Sequence, residues 1–202
     1  MPLPYQIVAG PFDVYIADVG ETFPSIDTSP PGGNWTLLGT NGNEEYAEDG
    51  VTVAHEETIE DFRMLGATGA VKSNRTSEGL AIRFTLHDLT LEQYAAALNF
   101  NTVTTTAAGA GTQGFREIPT YKGFVVAQKA VLVRGVGLSP YGDTYNMDFQ
   151  VPRARVASQP EVVFRKDQPA GLSLEFMALI DLNAATEAER FGKIVAADTA
   201  AQ

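Results

Sequence analysis

Eight carboxylates crowd the 21 residues from Asn41 to Asp61: Glu44, Glu45, Glu48, Asp49, Glu56, Glu57, Glu60 and Asp61, with no Lys or Arg among them. Such a density could supply a Ca²⁺ site, or a carboxylate pair acting as general acid and base. The spacing argues against both. The acids come as neighbours, and neighbours on a strand point to opposite faces. No Asp-x-Asp-x-Asp-Gly loop occurs. The expectation is a solvated or interface segment that holds no metal. His55 and His87 stand alone, with no ligand types at metal-binding spacing. Gly109-Ala110-Gly111-Thr112-Gln113-Gly114 matches Gly-x-Gly-x-x-Gly. A dinucleotide site also needs a following helix and an acidic residue about 20 positions on. Phe115-Arg116-Glu117-Ile118-Pro119 follows instead, so the stretch is expected to be a loop. No Gly-x-Ser-x-Gly elbow is present. We therefore expect no cofactor and no enzymatic activity.

Composition narrows the remaining classes. The 202 residues suffice for one sizeable core, and a single domain over 1–202 is expected. The chain has no Cys, which removes disulfides and thiolate metal sites. A net charge of −11 suits a protein that does not grip nucleic acid, since phosphate binding needs Lys and Arg. An acidic surface can still let a polyanion slide past. The opening residues lack a basic region and a long apolar run, so no signal peptide is expected. No apolar window is long enough to span a membrane.

The elements read mostly as β. Leu80, Ile82, Phe84 and Leu86 alternate with Ala81, Arg83, Thr85 and His87, the period of a half-buried strand. Leu91, Tyr94, Ala95 and Leu98 then take helical spacing. Thr90 and Gln93 suggest a capping box, Leu89 and Tyr94 a hydrophobic staple, and Asn99 a stop. Further strands are expected at Phe12–Val19, Trp35–Leu38, Thr102–Thr106, Phe115–Pro119, Gly123–Arg134, Tyr145–Val151, Glu161–Lys166 and Gly171–Leu182. The phase of the Tyr145 strand flips at Pro152, which predicts a bulge or a crossing between sheets. Asp49-Gly50 signals a hairpin turn within a long acidic hairpin or loop over 41–65. Residues 1–11 read as an N-terminal arm. Residues 186–202 read as a C-terminal arm, with a second capping box at Thr186 and Glu189. The expected fold is mainly β: a β-sandwich or partly open barrel with one packed short helix, an acidic loop and terminal arms.

Several stretches together resemble the tail tube (major tail) proteins of long-tailed, siphovirus-like bacteriophages. They are Trp35-Thr36-Leu37-Leu38-Gly39, the acidic segment after it, Gly69-Ala70-Val71-Lys72, and Leu86 to Leu98. The order of elements is similar from about Phe12 to Leu182. The resemblance implies a virion subunit, assembled in the host cytoplasm, that forms hexameric rings. Stacked rings would make a self-assembling tube for genome ejection. Its partners would be further copies of itself, the tape-measure, tail-terminator and tail-tip proteins, and passing double-stranded DNA without specific binding. Inter-ring contact would fall to Glu44, Glu45, Tyr46, Glu48, Asp49, Val51, Val53, Glu56, Glu57 and Ile59. The lumen would be lined by polar strand positions: Asn146, Asp148, Gln150 and Glu175, or Arg83, Thr85, Ser173 and Glu175. Two other readings stand beside it. One is a non-catalytic carbohydrate-binding or adhesive β-sandwich. The other is a different virion part, such as a tail terminator, neck or capsid-decorating protein.

Overall fold

The alternation at Leu80–Leu86 becomes the buried end of a long strand, and the rest of the sheet is laid against it. The computed structural model describes residues 3–157 and 159–198. Eight strands form one antiparallel sheet. In chain order they are β1 (Asp13–Asp18), β2 (Thr36–Leu37), β3 (Thr52–Phe62), β4 (Lys72–Leu86), β7 (Gln128–Gly135), β8 (Met147–Val156), β9 (Leu172–Ala178) and β10 (Lys193–Ala196). Across the sheet the order is β2-β1-β7-β8-β9-β4-β3, and β10 also pairs with β8. A separate small hairpin joins β5 (Thr104–Thr106) to β6 (Phe115–Glu117). The helix α1 (Leu91–Ala97) follows β4 directly.

One face of the sheet carries the main core. Val14, Val131, Val151, Leu172, Phe176 and Ile82 are each no more than 1% exposed. Ala96 and Ala97 of α1 close over this face. Phe84 packs between Tyr46 and Phe176, with ring centroids 5.1 and 6.2 Å away. Tyr46 also ties the two flanks together. It pairs with Leu86 beside β4. Its hydroxyl donates to the Leu38 carbonyl (2.8 Å) and accepts from the Val14 amide (3.1 Å) near β1. Burial therefore raises the Tyr46 hydroxyl pKa well above its ordinary value.

The second face is also covered where β1 and β7 meet. Tyr15, Ala17, Trp35, Ala130 and Leu132 form a smaller apolar cluster there, with Phe23 tilted on Trp35 at 5.0 Å. Beside it lies a buried polar network. Arg134 makes a two-pronged pair with Asp148 (2.7 and 2.6 Å), and both side chains are fully buried. Arg134 also donates to the carbonyls of Thr28 and Ser25, and Asn146 donates to that of Ile26 (2.7 Å). Residues 21–34 thus lie across the sheet as a strap held by side chains from below.

Several expectations hold. β7 is apolar on both faces and lies inside the sheet. The break at Pro152 is a bulge. Lys129 pairs with Ala154 but Val131 with Val151, so two residues of β8 oppose Ala130. The bulge also marks a change of neighbour, with β10 alongside Met147–Gln150 and β9 alongside Ala154–Val156. Leu89 and Tyr94 both pack on the core. Asn99 takes φ 61°, the expected left-handed stop.

Other expectations are corrected. Asp49-Gly50 is not a hairpin apex. Residues 45–47 bond to the 85–87 stretch, the chain makes a local turn at 47–50, and pairing with β4 then resumes at Thr52. The apex lies between Phe62 and Lys72. Neither capping box forms a side-chain cap, because Thr90 and Thr186 donate and accept no such bond. Asp88 fixes the turn leading into the helix instead, accepting from the Thr90 amide (2.9 Å) and from Thr40. Gly123–Ala127 is loop rather than strand. Residues 161–166 are not a strand, and β9 ends before Ile180. The segment expected to be a C-terminal arm folds back as β10, and Ala197 bonds to Asn146 (2.9 Å). Only residues 199–202 of that stretch lie outside the described residues, with Met1 and Pro2 at the other end.

Candidate functional site

Two surfaces stand out from this frame, and both are built on β3 and β4. The first is a projecting hairpin. The β3–β4 pairing runs on past the body, and every residue from His55 to Glu78 is exposed. The eight paired residues of β3 beyond the body, His55 to Phe62, extend roughly 25 Å. The ribbon is kept regular by side chains across it. Arg75 pairs with Glu57 at 2.8 Å and with Glu78 at 3.8 Å, and Ser73 donates to Asp61 at 2.5 Å. Its tip is apolar: Leu65 is 109% exposed, Met64 65% and Val71 61%. Large apolar side chains held out on an ordered ribbon mark a contact surface.

The second surface is the open polar face of β3, β4 and β9. Arg83 sits between two carboxylates, at 2.5 Å from Glu56 and 2.8 Å from Glu175. The bonds to Glu56 and then Glu175 hold its guanidinium in the charged form. Thr85 and Ser173 bond alongside, 3.1 Å apart. Two carboxylates flank one guanidinium here, and Arg155 brings a second cation to the same face where it meets Met177.

The eight acids do not converge. Glu44 and Glu45 lie in a short helical turn (Gly42–Glu45), where Glu45 accepts from the Asn41 amide (3.0 Å). Glu48 and Asp49 occupy the next turn, and Glu56 to Asp61 spread along the ribbon. Among the described residues no group of three His, Asp or Glu could hold a metal ion. His87 Nδ1 faces the Ala170 carbonyl at 3.2 Å, and His55 is exposed far from it. The glycine motif is the tight end of the β5–β6 hairpin. Gly109 and Thr112 exchange both backbone bonds (3.1 and 3.2 Å), and no helix follows. No helix of the described residues is long and apolar enough to cross a membrane.

The candidate contact residues divide. Glu44, Glu48, Asp49, Glu56, Glu57 and Ile59 are exposed, and Glu45 is half-buried in its turn. Val51 and Val53 are half-buried at the root of β3, and Tyr46 is a core residue. Three candidate lumen residues are corrected. Asn146, Asp148 and Gln150 are 8%, 0% and 6% exposed, on the face crossed by the strap and alongside β10, and cannot face a bore. Of that group only Glu175 stays on an open face.

Sequence reasoning missed one site altogether. Asn99 and Asn101 clamp the loop 119–127. The Asn99 amide donates to the Lys122 and Val125 carbonyls (2.7 and 2.9 Å) and accepts from the Ala127 amide (2.6 Å). Asn101 donates to the carbonyls of Pro119 and Tyr121 (2.7 and 3.0 Å). The loop so held presents Tyr121 (82% exposed) and Phe124 (97%). The two Asn just after the helix end were the available signal. No protein-family model matches the chain, and no curated protein matches it.

Proposed function

We propose that this protein is a non-catalytic structural subunit that assembles with copies of itself into stacked rings, forming a phage tail tube. The observation that carries the reading is the surface left open on a single copy. The chain exposes 12947 Å², whereas a compact monomer of 21.6 kDa would expose roughly 9,200 Å². The hairpin contributes to that excess, being exposed at every residue from His55 to Glu78. Among the described residues the path of the sheet ends in β2 and β3, each paired on one side and open to a further strand on the other. The link from β4 through Tyr46 to β1 supports a partly open barrel.

In this reading the hairpin reaches a neighbouring subunit. The lumen is lined by the Arg83, Thr85, Ser173 and Glu175 face. Its carboxylates, in a chain of net charge −11, would keep DNA from adhering, over a range of about 10 Å at 0.1 M salt. The hairpin tests the assembly claim directly. Joining Glu56 to Gly79 through an Asn-Gly turn removes the exposed ribbon but leaves the core strands paired. The shortened protein should unfold at the same denaturant midpoint and sediment as a monomer at every concentration. Assemblies like those of the intact chain would contradict the reading.

The clamped Tyr121–Phe124 loop favours a second reading, an adhesive module that stacks a sugar ring on exposed aromatics. Affinity electrophoresis on glycan-containing gels tests it. Retardation lost in Tyr121→Ala would support that reading, and unretarded migration on every glycan would dismiss it.

A further inference from the structure

β3 carries complementary surfaces at its two ends. At its root, Val51 and Val53 join Val8, Phe12, Met147 and Phe149 around an open groove of about 330 Å³ lined by apolar side chains. An adjoining hollow shares Phe12 and Val51 and brings Glu48 and Asp49 to the rim. At its far end the tip offers Phe62, Met64, Leu65 and Val71, all exposed. Arg63 and Lys72 flank them. Among the described residues no ion pair engages Glu48, Asp49, Arg63 or Lys72. One end is therefore an apolar knob with two free cations, the other an apolar socket with two free carboxylates.

We propose that the hairpin tip of one copy seats in the Val8–Phe149 groove of the next copy, with Arg63 and Lys72 meeting Glu48 and Asp49. The occupant must come from another chain. Knob and socket are fixed on one paired strand, separated by ten steps from Thr52 to Phe62, or ~33 Å of extended chain. A knob and a socket at different places on one surface give a heterologous contact, which repeats from copy to copy. The offset between successive copies is set by the reach of the hairpin. This inference rests on the self-assembly reading, and adds to it the receiving surface and the step.

The cysteine-free sequence makes the contact addressable by cross-linking. Full-length Leu65→Cys is mixed with full-length Val8→Cys and oxidised with diamide. A parallel mixture pairs it with Leu182→Cys, a control position that is 82% exposed. The proposal expects the Leu65–Val8 heterodimer to exceed the Leu65–Leu182 product roughly tenfold, as a specific contact outweighs random encounter. Equal yields would overturn it. Charge reversal gives an independent reading. Glu48→Lys with Asp49→Lys, or Arg63→Glu with Lys72→Glu, should each weaken association roughly tenfold. Mixing the two reversed proteins should restore it, and failure to do so would overturn the pairing. Uniform hollow tubes without the Leu65–Val8 disulfide would discard the socket and leave the tube reading standing. Disulfide-linked strings that never close into tubes would keep the socket and discard the tube.

Discussion

Arg134 and Asp148 are the residues on which the covered second face depends. Both are fully buried, and Arg134, held by Asp148, grips the strap 21–34 through the Thr28 and Ser25 carbonyls. Asp148→Ala would leave a guanidinium buried without its partner, at a cost of about 3–5 kcal/mol. Replacing both, as Arg134→Met with Asp148→Leu, should recover most of that loss in urea unfolding. A double variant as unstable as Asp148→Ala would contradict this account. Asp88 gives a pH-dependent counterpart. Burial pushes its carboxyl pKa up, but hydrogen bonds from Thr40 and Thr90 outweigh burial and the net is downward. A lowered folded pKa means stability that is full above the unfolded carboxylate range and is lost as pH falls through the folded value. Asp88→Ala should therefore cost ~1–2 kcal/mol at pH 7. The gap to wild type should close in unfolding curves taken at progressively more acid pH. The alternation of Asn146, Asp148 and Gln150 against Met147, Phe149 and Val151 was legible, but its meaning was not. Alternation separates two faces and does not say that a strap covers the polar one.

At the scale of elements, the strand-to-helix unit at Leu80–Asn99 was the clearest feature of the sequence, because each half has a sharp period of its own. The Pro152 bulge was legible for the same reason, as a break of phase. The hairpin apex was not, since Asp49-Gly50 is a stronger local turn signal than anything in 63–71. That turn forms, but as an excursion from a strand that keeps the same partner. β10 was hidden by Thr186 and Glu189, which resemble a helix start, while pairing with β8 depends on contacts distant in sequence. Gly192 permits that pairing. Its φ is 113°, and a Cβ there would lie 2.0 Å from the Gln150 carbonyl oxygen. Gly192→Ala should release β10 at a cost of ~2 kcal/mol or more. Amide exchange at Lys193–Ala196 should then speed up while β7 stays protected. Unchanged protection at β10 would show that the strand tolerates the strain.

For the whole molecule, the mainly β class and the single packed helix followed from periodicity. The hairpin's projection did not, because no pattern along the chain says where the body ends. It matters most for function. A chain that leaves an ordered ribbon with an apolar tip and open sheet edges in water gains most by burying them against copies of itself. The same surface in a protein that stays solitary would favour aggregation. The central claim is ordered self-assembly, and it is tested most directly by negative-stain electron microscopy of the purified full-length protein after concentration. The account predicts hollow tubes or stacked rings of uniform width, with an axial repeat of ~33 Å or slightly more set by the reach of the hairpin. Small monodisperse particles at all concentrations, or amorphous aggregates without a repeat, would contradict it.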